Sequence, residues 1–471
     1  MKPLTSQRVR YVISDLIGSE AAFLLFNVYR FFLLENDRSV YVSLGNFLLG
    51  PKLLTEQILL PLFMMCVYWL SGYYNAPFQR SRLQEFFNTL FCAAFNTLFI
   101  MLALLTNDMT TLLRQNFELL LLLFDLLFLF TYLPRLCITM RSIRKMELEE
   151  LIFPTLVIGN SEKAHAFIQT LSANRRKGIF TVKAFIDIPG EAPHSSQYPS
   201  YPLAELENVI ARMKIERVLL APQEFNDREM MELLQRLFPL GVDVRIAPGK
   251  FNFLTSTIRL NDIFGEPLVT LTAPNTGEAS KNIKRFIDII ISASAILLLS
   301  PLYLILYCAV KMDSRGPAFY SQTRIGYRQK PFRIYKFRTM CTDAEASGPQ
   351  LSRSRDSRIT RVGAVLRKYR LDEIPQFWNV LRGDMSIVGP RPERLFYIEQ
   401  IVREAPYYTL LHQVRPGITS WGMVKYGYAS SLDEMVERAN YDLIYLQNMS
   451  LSVDFKIMIY TLKTVLSGKG V

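Results

Sequence analysis

A chain of 471 residues suits about three domains, and with half of them hydrophobic and only 20% charged it is too apolar for an ordinary soluble protein and points to membrane segments. The formal net charge is +12, and residues 281–471 hold 28 basic and 16 acidic side chains, so the whole excess lies there. A basic region of this kind suits anionic lipid or a phosphorylated substrate, and nucleic acid is excluded as the poorer partner because the same segment carries a long apolar run.

Four apolar segments fill the first third: residues 11–34, 53–74, 86–105 and 117–140. Each is near the roughly 20 residues a helix needs to cross the hydrocarbon core. Lys2, Arg8 and Arg10 precede the first, Arg80 and Arg82 separate the second from the third, and Arg141, Arg144 and Lys145 follow the fourth. The other connections are less basic, with Arg38, Lys52 and Arg114. The positive-inside rule then puts the N-terminus, and everything after the fourth span, in the cytoplasm. The start MKPLTSQRVR lacks a small-residue cleavage site and reads as a retained anchor. Buried core helices of a soluble protein are the alternative. Asp15 and Glu20 are expensive in lipid and are expected to face a neighbouring helix or the interface. The five cysteines, Cys66, Cys92, Cys137, Cys308 and Cys341, form no CxxC pair and read as buried thiols. His165, His194 and His412 are too dispersed for a metal cluster.

Residues 151–275 alternate strand-like and helical stretches: PTLVIGN, TVKAFID, ERVLLAP and VDVRIAP, with a helix near 227–237. That pattern predicts a small parallel sheet of Rossmann type. The first turn reads GNSEKA, without the glycines of the dinucleotide fingerprint, so a structural, dimerising or regulatory role is expected. A nucleotide-sugar or NAD-dependent enzyme built on this region is a rival reading.

Next comes IKRFIDIIISASAILLLSPLYLILYCAVKMDSRGP, residues 283–317, interrupted by Ser300-Pro301. Proline in a helix interior removes a hydrogen bond and kinks the chain. Lys281, Lys284 and Arg285 guard one end, Lys311 and Arg315 the other. A helix–break–helix hairpin entering and leaving by the same face keeps both clusters at one surface, with freed backbone groups met by Ser300 or packed protein. A fifth span is the alternative. The stretch 316–340 interleaves basic and aromatic residues, 341–358 is polar and reads as a mobile loop, and 359–370 spaces Ile359, Val362, Val365, Leu366 and Tyr369 at helical intervals. That amphipathic helix lies in the membrane interface or packs on the core.

YRLDEIPQFWNVLRGDMSIVGPRP, residues 369–392, then places the adjacent pair Asp372–Glu373 among arginines. Pro375 fits the first turn of a helix running to about Leu381, so the pair sits beside a helix N-terminus that favours carboxylate and phosphate alike. Nearby arginines are expected to keep Asp372 deprotonated near neutral pH. A deprotonated aspartate beside a phosphate site can be a nucleophile, and its neighbour can help hold magnesium. A simple capping pair is the other reading. Candidate phosphate contacts are Lys336, Arg338, Arg367 and Arg391.

From about Lys281 onward the chain resembles the bacterial sugar transferase family, the monotopic phosphoglycosyl transferases. The stretches that carry the resemblance are NIKRFIDIIIS, the Ser300-Pro301 break, GPAFYSQTRIG, YKFRTM, LRKYRLDEIPQFWNVLRGDMSIVGPRPE, VRPGITSWG and YDLIYLQNMSLSVDFKIM. With the preceding spans and the degenerate Rossmann-like region, the chain is similar to the large members, polyprenyl-phosphate hexose phosphotransferases that start capsule, exopolysaccharide or O-antigen chains. The resemblance implies that Asp372 attacks the β-phosphorus of a UDP-sugar and expels UMP, giving a phosphosugar-aspartyl intermediate that undecaprenyl phosphate then consumes. It implies Mg2+ as cofactor, with Glu373 helping to bind it beside Asp372. Arg415 and Asp442 lie in matching C-terminal motifs and are assigned pocket roles. Many relatives read RPGITGWAQV where this chain reads RPGITSWGMV, a departure at Ser420, Gly422 and Met423 that bears on the sugar accepted.

The expected architecture is an α+β membrane protein. It comprises a four-helix transmembrane bundle (1–145), a Rossmann-like α/β middle domain (146–275) and a re-entrant-helix catalytic domain with amphipathic surface helices (276–471). The expected partners are a UDP-sugar, undecaprenyl phosphate, the lipid bilayer and a second copy in a homodimer. The expected location is the bacterial cytoplasmic (inner) membrane, with the catalytic domain facing the cytoplasm. UDP-galactose or UDP-glucose leads as donor. A UDP-N-acetylaminosugar, or a non-catalytic scaffold for polysaccharide assembly, stands as the alternative.

Overall fold

The computed structural model describes residues 3–33, 43–75, 82–105, 113–147, 153–173, 180–189, 198–221, 227–246, 269–270, 276–342, 344, 348, 356–427 and 429–466. The first third is helical: α1 (Pro3–Leu33), the short α2 (Leu44–Leu48), α3 (Pro51–Leu70), α4 (Arg82–Leu105) and α5 (Leu113–Glu147). The four longer helices are each long and apolar enough to cross a membrane, and the protein reads as a membrane protein. Their inner faces pack Phe23, Phe26, Met64, Ala93, Ile100 and Leu123, while Ile17, Leu59, Phe91 and Leu121 point outward. A protein in water rarely leaves so many large apolar side chains exposed. Gly18 brings α1 against α5, where a Cβ would lie 2.4 Å from the carbonyl oxygen of Phe130.

Asp15 faces a neighbouring helix as expected. Its carboxylate accepts Nη2 of Arg135 on α5 at 2.7 Å, and both side chains are wholly buried. Nη1 of Arg135 donates to Thr89 Oγ1 at 2.8 Å, and the guanidinium lies over the Tyr73 ring at 3.7 Å. Glu20 accepts Nε2 of Gln57 at 2.8 Å. The cysteines depart from expectation: Cys92 is buried, but Cys137, Cys308 and Cys341 are exposed. Cys137 lies on α5, whose apolar residues point outward as well as inward, and Cys341 lies outside any helix or strand.

The middle region carries β1 (Phe153–Ile158), α6 (Glu162–Ala173), β2 (Phe180–Asp187), β3 (Ser200–Pro202), α7 (Leu206–Arg212), β4 (Arg217–Leu220), α8 (Asp227–Leu237), β5 (Asp243–Ile246) and β6 (Val269–Thr270). The sheet order is β3-β2-β1-β4-β5-β6, parallel except for β6, which runs antiparallel to β5. The central strands are apolar runs because helices or the rest of the chain cover both faces. One face buries Leu156, Ile186, Val218 and Leu234, the other Val157, Phe185 and Leu219. At the first turn, Asn160 Nδ2 donates to Asp187 Oδ1 at 2.7 Å, joining the ends of β1 and β2.

The C-terminal part opens with α9 (Glu278–Leu298) and α10 (Ser300–Asp313), bent by 62° at their junction. Ser300 Oγ donates to the Leu297 carbonyl at 2.8 Å, and Pro301 falls in the first turn of α10, where its missing N–H is not needed. Next come an antiparallel hairpin, β7 (Phe319–Ile325) and β8 (Pro331–Phe337), then α11 (Arg361–Lys368) and α12 (Gln376–Arg382). Most of the loop expected at 341–358 lies outside the described residues. On α11, Val362 and Leu366 pack with Leu306, Val310 and Phe337, whereas Val365 and Tyr369 are exposed. The chain continues through β9 (Ser386–Val388), α13 (Leu395–Glu404), a 3-10 helix (Pro406–Gln413) and β10 (Gly417–Thr419), parallel to β9. It ends with α14 (Trp421–Lys425), α15 (Leu432–Gln447) and α16 (Leu451–Leu466). Tyr407 and Leu410 of the 3-10 helix pack on the core of the middle sheet.

Candidate active site

The acidic pair occupies its own turn. Arg370 ends the α11 segment in the left-handed region (φ +55°), which a non-glycine residue enters at a cost of about 1–2 kcal/mol. A 3-10 turn, Leu371–Glu373, follows, and Pro375 then stands as the N-cap of α12. The expected helix therefore begins one residue after the proline, with the carboxylates ahead of it. Leu371 and Ile374 pack into the apolar cluster formed by α10, β8 and α11. Tyr303 on α10 donates its hydroxyl to the Ile374 carbonyl at 2.7 Å, so the bent helix pair holds the turn directly.

Asp372 and Glu373 are both buried, 8% and 4% exposed. Glu373 is surrounded by cations: Lys336 Nζ from β8 at 2.7 Å, Arg391 Nη2 at 3.4 Å and Arg370 Nη1 at 3.9 Å. Burial pushes the Glu373 carboxyl up, but Lys336, Arg391 and Arg370 outweigh it and hold the group well below the usual range. Among the described residues no side chain donates a hydrogen bond to the Asp372 carboxylate. Burial raises it to about 6 against the pull of Lys336, and the Glu373 charge adds to the rise. Arg367 and Arg391 lower the carboxyl as expected, but burial outweighs them and sets the direction of the shift. The group is still mostly ionised at neutral pH.

The other candidates divide. Arg367 donates through Nε to Thr339 Oγ1 at 2.9 Å and lowers the Asp372 carboxyl through its charge. Lys336, Arg367 and Arg391 therefore converge on the pair. Arg338 is directed elsewhere: Nη1 donates to the Arg315 carbonyl at 2.7 Å and Nη2 to that of Ser314 at 2.8 Å, capping the end of α10. Arg415 donates to the Gly383 carbonyl at 2.9 Å, beyond the far end of α12, roughly 10 Å of helix from the pair. Asp442, buried on α15, stands behind Arg391. Its Oδ1 accepts the Gly422 N–H at 2.8 Å and its Oδ2 the Arg391 N–H at 3.5 Å. Arg391 Nη1 also contacts Met423 Sδ at 3.2 Å, which sets one of the residues expected to bear on the sugar against a cation of the site.

Two elements of the site were not read as such from sequence. Arg370 stands three residues before Glu373, a spacing that brings side chains together on one helical turn. Arg285 donates to the carbonyls of Val380 (2.6 Å) and Leu381 (2.9 Å), fixing the C-terminus of α12 from α9.

Four cations around two carboxylates leave a net positive pocket, which suits a diphosphate. Among the described residues no three histidine, cysteine, aspartate or glutamate side chains group as a metal site. Magnesium commonly takes one or two protein carboxylates and completes its shell with phosphate oxygens and water. Asp372, whose oxygens accept from no side chain among the described residues, and its neighbour Glu373 fit a magnesium ion that arrives with a diphosphate.

Residues 279–468 match the family described as bacterial sugar transferase. Over 188 residues the chain is 46% identical to a UDP-N-acetylgalactosamine-undecaprenyl-phosphate N-acetylgalactosaminephosphotransferase from Aeromonas hydrophila, covering 40% of this chain and 44% of that protein. Over 250 residues it is 36% identical to a UDP-glucose:undecaprenyl-phosphate glucose-1-phosphate transferase from Escherichia coli (strain K12), covering 53% and 54%. Over 199 residues it is 39% identical to the exopolysaccharide production protein PSS from Rhizobium leguminosarum bv. phaseoli, covering 40% of this chain and 98% of that protein. The chain thus spans about half the length of the first two relatives and nearly all of the third. With the motifs, the buried carboxylate pair and these matches together, the chain belongs to the bacterial sugar transferase family.

Proposed function

We propose that the protein transfers a sugar 1-phosphate from a UDP-sugar to undecaprenyl phosphate, releasing UMP and starting a surface polysaccharide. The observation that carries the reading is the division of labour in the buried pair. Glu373 gathers Lys336, Arg391 and Arg370, while among the described residues no side chain donates to the Asp372 carboxylate. The Asp372 oxygen attacks the β-phosphorus, the bond to the bridging oxygen breaks, and UMP leaves with that oxygen. A phosphate oxygen of undecaprenyl phosphate then attacks the same phosphorus, the bond from it to the Asp372 oxygen breaks, and the carboxylate is regenerated with the sugar left on a lipid diphosphate. Lys336, Arg367 and Arg391 orient the phosphates and offset the charge that moves between them. Asp372 and Glu373 would hold a magnesium ion, which would supply further neutralisation of the diphosphate.

A UDP-hexose, galactose or glucose, is the leading donor, supported by the glucose transferase relatives. A UDP-N-acetylaminosugar is the second reading, favoured by the 46% identical Aeromonas relative. The protein acts as a homodimer in the bacterial inner membrane, with α9 and α10 as a re-entrant pair and the site at the cytoplasmic surface. UMP release in nanodiscs, with magnesium, a panel of UDP-sugars and undecaprenyl phosphate, tests the reading. Lipid-dependent release with one sugar, lost in Asp372→Asn, is expected. No release from any donor would favour the scaffold, and release unaffected by the substitution would overturn the aspartyl nucleophile.

A further inference from the structure

After α3 the chain turns through residues 71–75 and meets the start of α9. Gly72 (φ +75°) lies so close that a Cβ there would sit 2.7 Å from the backbone nitrogen of Ala279. Asn75 Nδ2 donates to Glu278 Oε2 at 2.9 Å and to Asn282 Oδ1 at 3.0 Å. Asn282 in turn donates through Nδ2 to the Trp69 carbonyl. The bundle holds this turn from its other side. Arg8 donates to the carbonyls of Tyr74 (2.8 Å) and Asn75 (3.4 Å), and the Tyr74 hydroxyl donates to Asp15 at 2.8 Å.

The opposite side of α9 is fixed to the transferase core. Arg285 caps α12, and Asp288 accepts Ser386 Oγ at 2.7 Å and the Ile387 N–H at 3.1 Å. A single helix thus joins the bundle to the element that follows the acidic pair. The family match spans residues 279–468 and leaves the bundle outside it, so the contacts at this turn define what the bundle contributes to the matched part.

We infer that the turn 71–75 is a seat that fixes the tilt and depth of the α9–α10 pair, and thereby presents Asp372 to an acceptor phosphate carried on lipid. The inference rests on the phosphotransferase reading. The donor is a water-soluble sugar nucleotide that approaches at any depth. The acceptor phosphate stands at a depth set by the bilayer. The seat therefore acts on the second half-reaction and leaves the first alone.

The experiment uses the intact protein in nanodiscs, as wild type, Asn75→Ala and Gly72→Val. Asn75→Ala removes two hydrogen bonds from the seat without crowding it, and Gly72→Val crowds the Ala279 backbone. Single-turnover UMP release without lipid reads the first half-reaction, and steady-state release against undecaprenyl phosphate concentration reads the second. The expected result is a single-turnover burst like that of wild type in both variants, with the KM for undecaprenyl phosphate raised about tenfold, the scale of one or two lost hydrogen bonds. An unchanged lipid KM in both, or a parallel loss of burst and turnover in Asn75→Ala, would overturn the seat. A wild type that releases no UMP would sink the phosphotransferase reading and this inference with it.

Discussion

Lys336 and Arg338 stand two residues apart, yet the structure gives them opposite duties. Lys336 reaches Glu373 at 2.7 Å, while Arg338 closes the end of α10. Lys336→Gln is expected to lower kcat/KM for the UDP-sugar by roughly 10- to 100-fold, the range for a lost charged hydrogen bond, because Glu373 then draws Arg391 and Arg370 away from the phosphates. Steady-state UMP release checks it, with an unchanged melting temperature separating this role from a structural one. Arg338→Ala is expected to act the other way, removing about 1–3 kcal/mol of stability while the folded enzyme keeps its UDP-sugar KM. Thermal unfolding in detergent alongside kinetics decides the point. Sequence made the carboxylate pair and its cationic surroundings legible but not this division. Strand alternation puts residues of equal parity on one face, so Lys336 and Arg338 look equivalent. The strand ends at Phe337, and Arg338 leaves the pleat.

The 3-10 helix Pro406–Gln413 bridges the middle sheet and the transferase core, and His412 is buried in it. Burial depresses its imidazole from 6.5 to about 4. The unfolded chain takes the proton first, so His412 contributes fully above about pH 6.5 and loses that contribution as pH falls toward 4, roughly 3 kcal/mol in all. Asp442, raised to about 6 by burial, works in the opposite sense, binding its proton more tightly when folded. The expected observation is therefore a difference. His412→Gln should melt with a smaller drop between pH 7.5 and pH 5 than wild type, and an identical drop would refute it. At this scale the strands β1, β2, β4 and β5 were legible as apolar runs between turn residues. The edge strand β3, Ser-Tyr-Pro, was not, because three partly exposed residues carry no period. Nor was the bridge itself, since Tyr407 and Leu410 look like any surface pair until the sheet they cover is known.

At the scale of the whole molecule, the buried pair Asp15–Arg135 joins the first and last long helices of the bundle. Removing one partner strands a charge in an apolar interior and typically costs about 3–5 kcal/mol, whereas replacing both with neutral groups is far milder. Asp15→Ala is thus expected to lower the melting temperature and membrane yield sharply, with Asp15→Asn combined with Arg135→Met recovering much of the loss. Equal damage from the single and double changes would show that shape, not charge, holds the helices. The need for a partner was legible at Asp15, but its identity was not, because 120 residues separate the two and only packing selects among the available cations. The seat for α9 has a further consequence in the order of manufacture. It is complete once the last bundle helix, ending at Glu147, has left the ribosome, whereas Glu278 emerges about 7–26 seconds later at roughly 5–20 residues per second. The helix pair therefore meets a finished surface as it is made, and its choice between lying in and crossing the bilayer is taken against a template the same chain has already built.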